Sequence, residues 1–188
     1  MANIVLASSS PRRKQLLEQV GLTFRCFSPE IDESVLPNEH AADYVKRLAQ
    51  TKAQVVLQSN PDAVVIAADT SLSLDGKIIG KPESKQHAFE IWSALSGRFH
   101  DVLTGVCVAN KNTIKTLVVR TRVEFKVLNP NDMEDYWETG EPTDKAGAYA
   151  IQGYAAQFIP RIEGSYSNVV GLPLHETIEL LNTVIKSG

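Results

Sequence analysis

The sequence predicts an α/β fold of mixed α+β character, and three observations carry that expectation. Apolar runs of strand length alternate along the chain with segments of helical periodicity. Val64-Val65-Ile66-Ala67-Ala68 is a continuous apolar run, the pattern of a central strand buried on both faces. Two long alternating stretches, 99–109 and 113–126, meet at Asn110-Lys111-Asn112 and read as an antiparallel pair.

Taken in order, residues 3–7 form a first buried strand that stops at Ser8-Ser9-Ser10. Ser10 is placed to cap a helix, Pro11 suits its first position, and Gly21 marks its end. A second strand leads into a loop holding Asp32-Glu33 and Pro37. Residues 40–58 follow as an amphipathic helix with Tyr44, Val45, Leu48, Ala49, Ala53 and Val56 on one face. After the 64–68 strand, Asp75-Gly76 signals a hairpin between 71–74 and 77–79. A helix is expected over 85–95, and another from Asn129-Pro130 to about Glu138. The glycine-rich segment 140–153 reads as a loop, 156–162 as a last strand and 175–185 as the terminal helix. No repeat or linker divides residues 1–188, which read as a single domain with room for two lobes around a cleft.

The formal net charge of −3 gives no general attraction to nucleic acid or to an anionic membrane. Against that balance Arg12-Arg13-Lys14 is a local basic patch, with no acid before Glu18. Cys26 and Cys107 form no metal pattern and read as two buried thiols of a reducing cytosol. The start of the sequence has no apolar stretch long enough for a signal peptide, and no segment is long enough to span a bilayer. A soluble, cytoplasmic protein is expected.

The opening segment points to an anion. A strand feeding a helix N-terminus turns backbone N–H groups towards a ligand, and Ser8, Arg12 and Arg13 add hydroxyl and guanidinium donors. Asp69 closes the most apolar run, where open α/β sheets hold their ligands, although a turn-capping aspartate looks the same. Asp32-Glu33 taken singly reads more readily as a solvated loop. Together, Asp69 and Glu33 supply the hard oxygen donors that Mg²⁺ or Mn²⁺ prefers. Lys52, beside the apolar stripe of its helix, Lys81 in Gly80-Lys81-Pro82, and Lys145 are each unremarkable surface lysines when taken alone. Jointly they suit a triphosphate, whose about four negative charges need several cations and a metal. Gln152, in a loop with Gly147 and Gly153, has the donor and acceptor needed to read a pyrimidine edge, or equally to close a turn. There is no phosphate-binding GxxxxGK[ST] loop or GxGxxG, and the four histidines lack ligand spacing.

These segments resemble the Maf family of nucleoside triphosphate pyrophosphatases across nearly the whole chain. The resemblance is carried by Leu6-Ala7-Ser8-Ser9-Ser10-Pro11-Arg12-Arg13, Ile31-Asp32-Glu33, Arg47-Leu48-Ala49 with Lys52-Ala53, and Ala68-Asp69-Thr70. It continues through Gly80-Lys81-Pro82, Leu95-Ser96-Gly97 with His100, Thr104-Gly105, Lys145-Ala146-Gly147-Ala148-Tyr149, Ile151-Gln152-Gly153 and Val170-Gly171-Leu172-Pro173-Leu174. It implies an elongated mixed sheet with flanking helices, shared with inosine triphosphatases, two lobes around a central cleft, and often a homodimer. It also implies metal-dependent hydrolysis of a nucleoside triphosphate to monophosphate and pyrophosphate. The resemblance then makes Asp69 the acidic catalytic residue, Glu33 its metal-binding partner, and Ser8, Arg13, Lys52 and Lys81 the phosphate-binding positions. Arg12, Thr70 and Gln152 are similar to the branch that hydrolyses dTTP and UTP, whereas the branch acting on 7-methyl-GTP carries Trp, Gln and Glu there. Ser71-Leu72-Ser73 departs from the family, in which a more apolar strand is usual. A non-catalytic role in septum arrest, and action on 7-methyl-GTP or a modified nucleotide, are the competing expectations.

Overall fold

The computed structural model describes residues 2–186. Seven strands form one mixed sheet: β1 (Ile4–Leu6), β2 (Arg25–Cys26), β3 (Val64–Leu74), β4 (Lys77–Ile79), β5 (Phe99–Ala109), β6 (Ile114–Glu124) and β7 (Arg161–Glu163). Their order is β2-β1-β3-β5-β6-β7, and β4 pairs with β3. Six α-helices surround them: α1 (Pro11–Gln19), α2 (Ala41–Ser59), α3 (Lys85–Leu95), α4 (Pro130–Glu138), α5 (Tyr166–Val170) and α6 (Leu174–Lys186).

The long strands β3, β5 and β6 make an antiparallel spine in continuous register, from Val65↔Ala109 and Ala109↔Ile114 at one end to Phe99↔Glu124 at the other. The outer edge of β3 is shared. β1 runs parallel to its first residues, ending at Leu6↔Ile66, and β4 runs antiparallel to its last, beginning at Leu72↔Ile79. Residues 67–71 therefore have no paired strand on that side, and the sheet is open there.

Strand alternation sorts the core onto two faces. Val65 and Ala67 join Val5, Ala7, Cys107 and Ala109 against Ala49, Ala53 and Val56 of α2. On the other face Ile66 and Ala68 pack with Leu16 and Leu17 of α1 and Leu181 and Val184 of α6. Farther along the same face, Leu72 and Leu74 pack with Ile91, Trp92 and Leu95 of α3 and Met133 and Tyr136 of α4. The α2 interface is made almost wholly of small side chains, so this helix lies close to the sheet. It comes closest at Gly105, where a Cβ would run into the Val45 carbonyl.

Local chemistry sets the element ends as expected. Ser10 Oγ accepts from the Arg13 amide and Pro11 starts α1, while Asn129 and Asp132 close a reciprocal cap on α4. Asp75 and Gly76 both take positive φ in the β3–β4 turn.

Four expectations are corrected. The 64–68 run and the 71–74 hairpin arm are one strand, β3, so Asp69 lies inside a strand and not at its end. Tyr154–Phe158 is a 3₁₀ turn whose aromatic rings pack on Tyr136, which reduces the expected 156–162 strand to β7. Short 3₁₀ turns break up the 140–153 loop, and α5 was not anticipated. Cys107 is buried, but Cys26 is exposed because β2 is an edge strand.

Gly105→Ala should force α2 off the sheet, an overpacking cost of about 1–3 kcal/mol. We expect the thermal midpoint to fall by roughly 2–12 °C. Scanning calorimetry tests this, and an unchanged midpoint would show that the helix has room to spare.

Candidate active site

The opening in the sheet beside residues 67–71 is the floor of a cleft of about 1100 Å³. The loop after β1 and the loop after β4 leave the sheet on either side of it. Ser8, Arg12, Arg13, Glu33, Lys52, Asp69, Thr70, Lys81 and Gln152, all singled out in the sequence, line this one cleft.

Asp69 and Thr70 occupy opposite faces of β3. Asp69 shares the face of Val65 and Ala67, and it meets α2 through Lys52, whose Nζ donates to Oδ1 at 2.6 Å. The same ammonium lies 2.7 Å from Glu33 Oε1, so it bridges the two carboxylates. Lys52 and Asp69 are buried, whereas the Glu33 side chain is 53% exposed. Burial raises the Asp69 pKa above its ordinary value, and Lys52 and Arg13 only partly offset this.

Thr70 faces the α1 side. Its hydroxyl receives Arg13 Nη2 at 3.1 Å and lies 2.9 Å from the Thr104 hydroxyl. Arg13 also donates through Nε to the Gly171 carbonyl at 2.8 Å and through Nη1 to Ser8 Oγ at 3.4 Å. Desolvation lowers the Arg13 pKa and the Asp69 charge opposes it, so the guanidinium feels the carboxylate across the strand. Lys81 and Gln152 are exposed on the cleft wall. Lys145 reaches the wall too, but its Nζ is occupied by the Glu141 carbonyl and the Asp144 carboxylate.

Several contributors were not identified from sequence. Lys77 lines the cleft as a further cation. Tyr149 forms part of the wall and is held by His100, whose Nε2 lies 2.7 Å from the phenol oxygen. Burial drives the His100 pKa down to about 3, leaving a neutral imidazole. Tyr44, read only as part of the apolar stripe, donates to the Glu33 carbonyl at 2.9 Å. Its spacing of eight residues from Lys52, a little over two helical turns, was the available signal.

The two carboxylates converge on a single cation, which is what holding a divalent metal requires. Among the described residues no group of three or more His, Cys, Asp or Glu side chains could hold a metal ion. Two acidic oxygen donors and no imidazole or thiolate suit a hard cation that keeps water or phosphate oxygens as its other ligands.

Residues 3–184 match the family model described as Maf-like protein. The chain belongs to the Maf family. It is similar to the dTTP/UTP pyrophosphatase of Acinetobacter baylyi, 68% identical over 95% of this chain and 98% of that protein. The proteins of the same name from Myxococcus xanthus and Colwellia psychrerythraea are 50% and 48% identical over 95% of this chain, and over 90% and 86% of their own lengths. Among solved structures, a HAM1 protein from Coxiella burnetii aligns over 100% of both chains with a TM-score of 0.51 at 18% identity, a likeness of fold. Nearly every Maf-like block read from the sequence before α6 contributes a residue to the cleft wall or to a contact behind it.

Asp69 has a folded-state pKa above its ordinary value. Its contribution to stability is therefore full below the carboxylate range and is lost as pH rises through the folded pKa. Asp69→Asn removes that loss while Glu33 stays on Lys52. We expect the variant to gain stability relative to wild type as pH rises from about 3.5 to 7. Denaturant titrations across that range check this; a difference that shrinks with rising pH would contradict it.

Proposed function

We propose that this chain hydrolyses dTTP and UTP to the monophosphate and pyrophosphate. The observation that carries the reading is the Asp69–Lys52–Glu33 bridge at the floor of a cleft whose walls hold Arg12, Arg13, Lys77 and Lys81. The names of the relatives support the substrate class.

Asp69 acts as the general base. It takes a proton from a water whose oxygen attacks the α-phosphorus, and the bond to the bridging oxygen breaks as pyrophosphate leaves. The burial that raises its pKa makes it the stronger base. Lys52, already on Asp69, places its charge where phosphate oxygens gain negative charge, and Arg13 and Lys81 act on the leaving group. Thr70, Ser8 and Gly171 fix the Arg13 fork before substrate arrives. Asp69 and Glu33 would hold Mg²⁺ or Mn²⁺, which supplies charge neutralisation at the phosphates when bound.

Arg12 and Gln152 are the groups free to meet a base, and Gln152 offers the paired donor and acceptor a uracil or thymine edge needs. Thr70 contributes to selection through Arg13, to which its hydroxyl is committed. No helix among the described residues is long and apolar enough to cross a membrane, which is compatible with work on the cytoplasmic nucleotide pool. The reading includes a homodimer, which light scattering tests directly.

Product analysis with Mg²⁺ or Mn²⁺ on dTTP, UTP, CTP, GTP and 7-methyl-GTP decides the reaction. Monophosphate and pyrophosphate from dTTP and UTP are expected, and turnover restricted to 7-methyl-GTP would overturn the base assignment. In the same assay Asp69→Asn should keep the fold and lower kcat by about a hundredfold or more. Near-wild-type turnover would remove Asp69 from the mechanism.

A further inference from the structure

Glu33 reaches the centre from an unpromising place. Residues 27–40 join β2 to α2 without helix or strand, and residues 32–36 of this loop are all exposed. Packing does not place the Glu33 carboxylate. Three hydrogen bonds to the segment around α2 fix its backbone instead. Tyr44 Oη donates to the Glu33 carbonyl at 2.9 Å, and Arg47 Nη2 donates to the Ser34 carbonyl at 2.9 Å. The Leu36 amide donates to Glu39 Oε2 at 3.0 Å.

Arg47 is itself locked. Its Nε and Nη2 grip the Glu39 carboxylate at 2.6 and 2.7 Å, a bidentate pair with only 7% of the Glu39 side chain exposed. The guanidinium also lies 5.6 Å from the Tyr44 ring centroid. Most exposed ion pairs contribute little, but a two-pronged arginine–carboxylate pair has a defined geometry. The bond to Glu39 raises the Arg47 pKa and lowers that of Glu39, so the pair stays ionised across the neutral range. Burial and the nearby carboxylates push the Tyr44 phenol up to about 12, so it remains a donor.

We propose that Arg47, locked by Glu39 and backed by Tyr44, is a positioning residue that sets the Glu33–Ser34 backbone so that Glu33 meets Lys52 and Asp69. The inference rests on the reaction proposed above. It makes Glu33 the group through which Arg47 acts on the reaction, while Glu39 and Tyr44, which Arg47 also touches, are cleft-wall residues that hold it in place. Arg47 neither lines the cleft nor bonds to Lys52, Asp69 or Arg13, and the bonds that fix Arg13 do not involve it.

The test is a double-mutant cycle with dTTP as the probe. Arg47→Ala should lower kcat by about tenfold or more while KM changes by less than about threefold, because misplacing a reacting group costs rate. Amide hydrogen exchange over residues 33–36 should speed up. In the Glu33→Ala background the same substitution should change kcat by less than about twofold, because the group it positions is gone. Arg47→Lys, which keeps the charge and loses the fork, and Glu39→Gln, which loosens it, should move the same readouts in the same direction. These milder variants keep the test decisive should Arg47→Ala fold poorly. Equal losses in the two backgrounds would overturn the inference, as would unchanged kcat with a deprotected loop. Wild-type protein inert towards every triphosphate would overturn the reaction itself, and this inference with it.

Discussion

A carboxylate in the middle of a central β-strand is the constraint on which the rest of this structure depends. Asp69 has strand neighbours on both sides in sequence and Gly105 across the β3–β5 pair. Such a group is costly to bury without a partner. Its partner is delivered by α2, and Lys52 can reach it because Ala49, Ala53 and Gly105 keep that helix low on the sheet. The smallness of the residues under α2 is thus part of the site, although none of them touches a ligand. Thr70, one residue on, uses the strand's alternation to hold Arg13 from the opposite face. One dipeptide therefore organises groups from two layers of the fold.

The second determinant is the shared edge of β3. Because β1 stops at Leu6 and β4 begins pairing at Leu72, the sheet has a short opening instead of a continuous neighbour strand. The loops bordering that opening belong to different cores, with the α1–α6 cluster behind one and the α3–α4 cluster behind the other. The cationic side chains of the cleft thus come from parts of the chain that are packed separately. Ser8 and Arg13 belong to the first part, and Lys77 and Lys81 follow β3 into the second. A long anionic ligand lying across the opening would touch both.

Much of this was legible in the sequence, for identifiable reasons. Ser10-Pro11, Asn129-Pro130 and Asp75-Gly76 act locally, so their caps and turn appear as read. The spine strands were visible because β5 and β6 are long and alternate. Asp69 was misplaced within its strand because the apolar run ends there and polar residues follow. Ser71 and Ser73 are buried nevertheless, which only the third dimension explains. The 156–162 segment has strand-like composition, yet Tyr154 and Phe158 pack on Tyr136 and hold the chain in a turn. The residues singled out in the sequence line one cleft, but their pairing was invisible. Nothing in the spacing of Glu33, Lys52 and Asp69 reveals that the Lys52 ammonium joins the other two. The Arg47–Glu39 clamp was overlooked because a helix arginine and a glutamate of the preceding loop ordinarily read as separate solvated charges.

The edges of the sheet have a consequence for how copies of the molecule meet. Among the described residues, β2, β4 and β7 are edges of only two, three and three residues, but β7 covers no more than residues 122–124 of β6, so residues 114–121 of that long strand have no strand on their outer side. Glu124, Arg161 and Glu163 add charge at the β7 end, and Arg25 occupies β2. The short edges offer too few consecutive backbone donors and acceptors to template another chain, and the longer β6 edge carries the exposed charges of Lys115 and Arg120, which blunt it. Strand addition between copies would therefore have to come through residues 114–121, past those charges. A sheet that gives up an inner edge to its working centre thus keeps its long outer edge under charge.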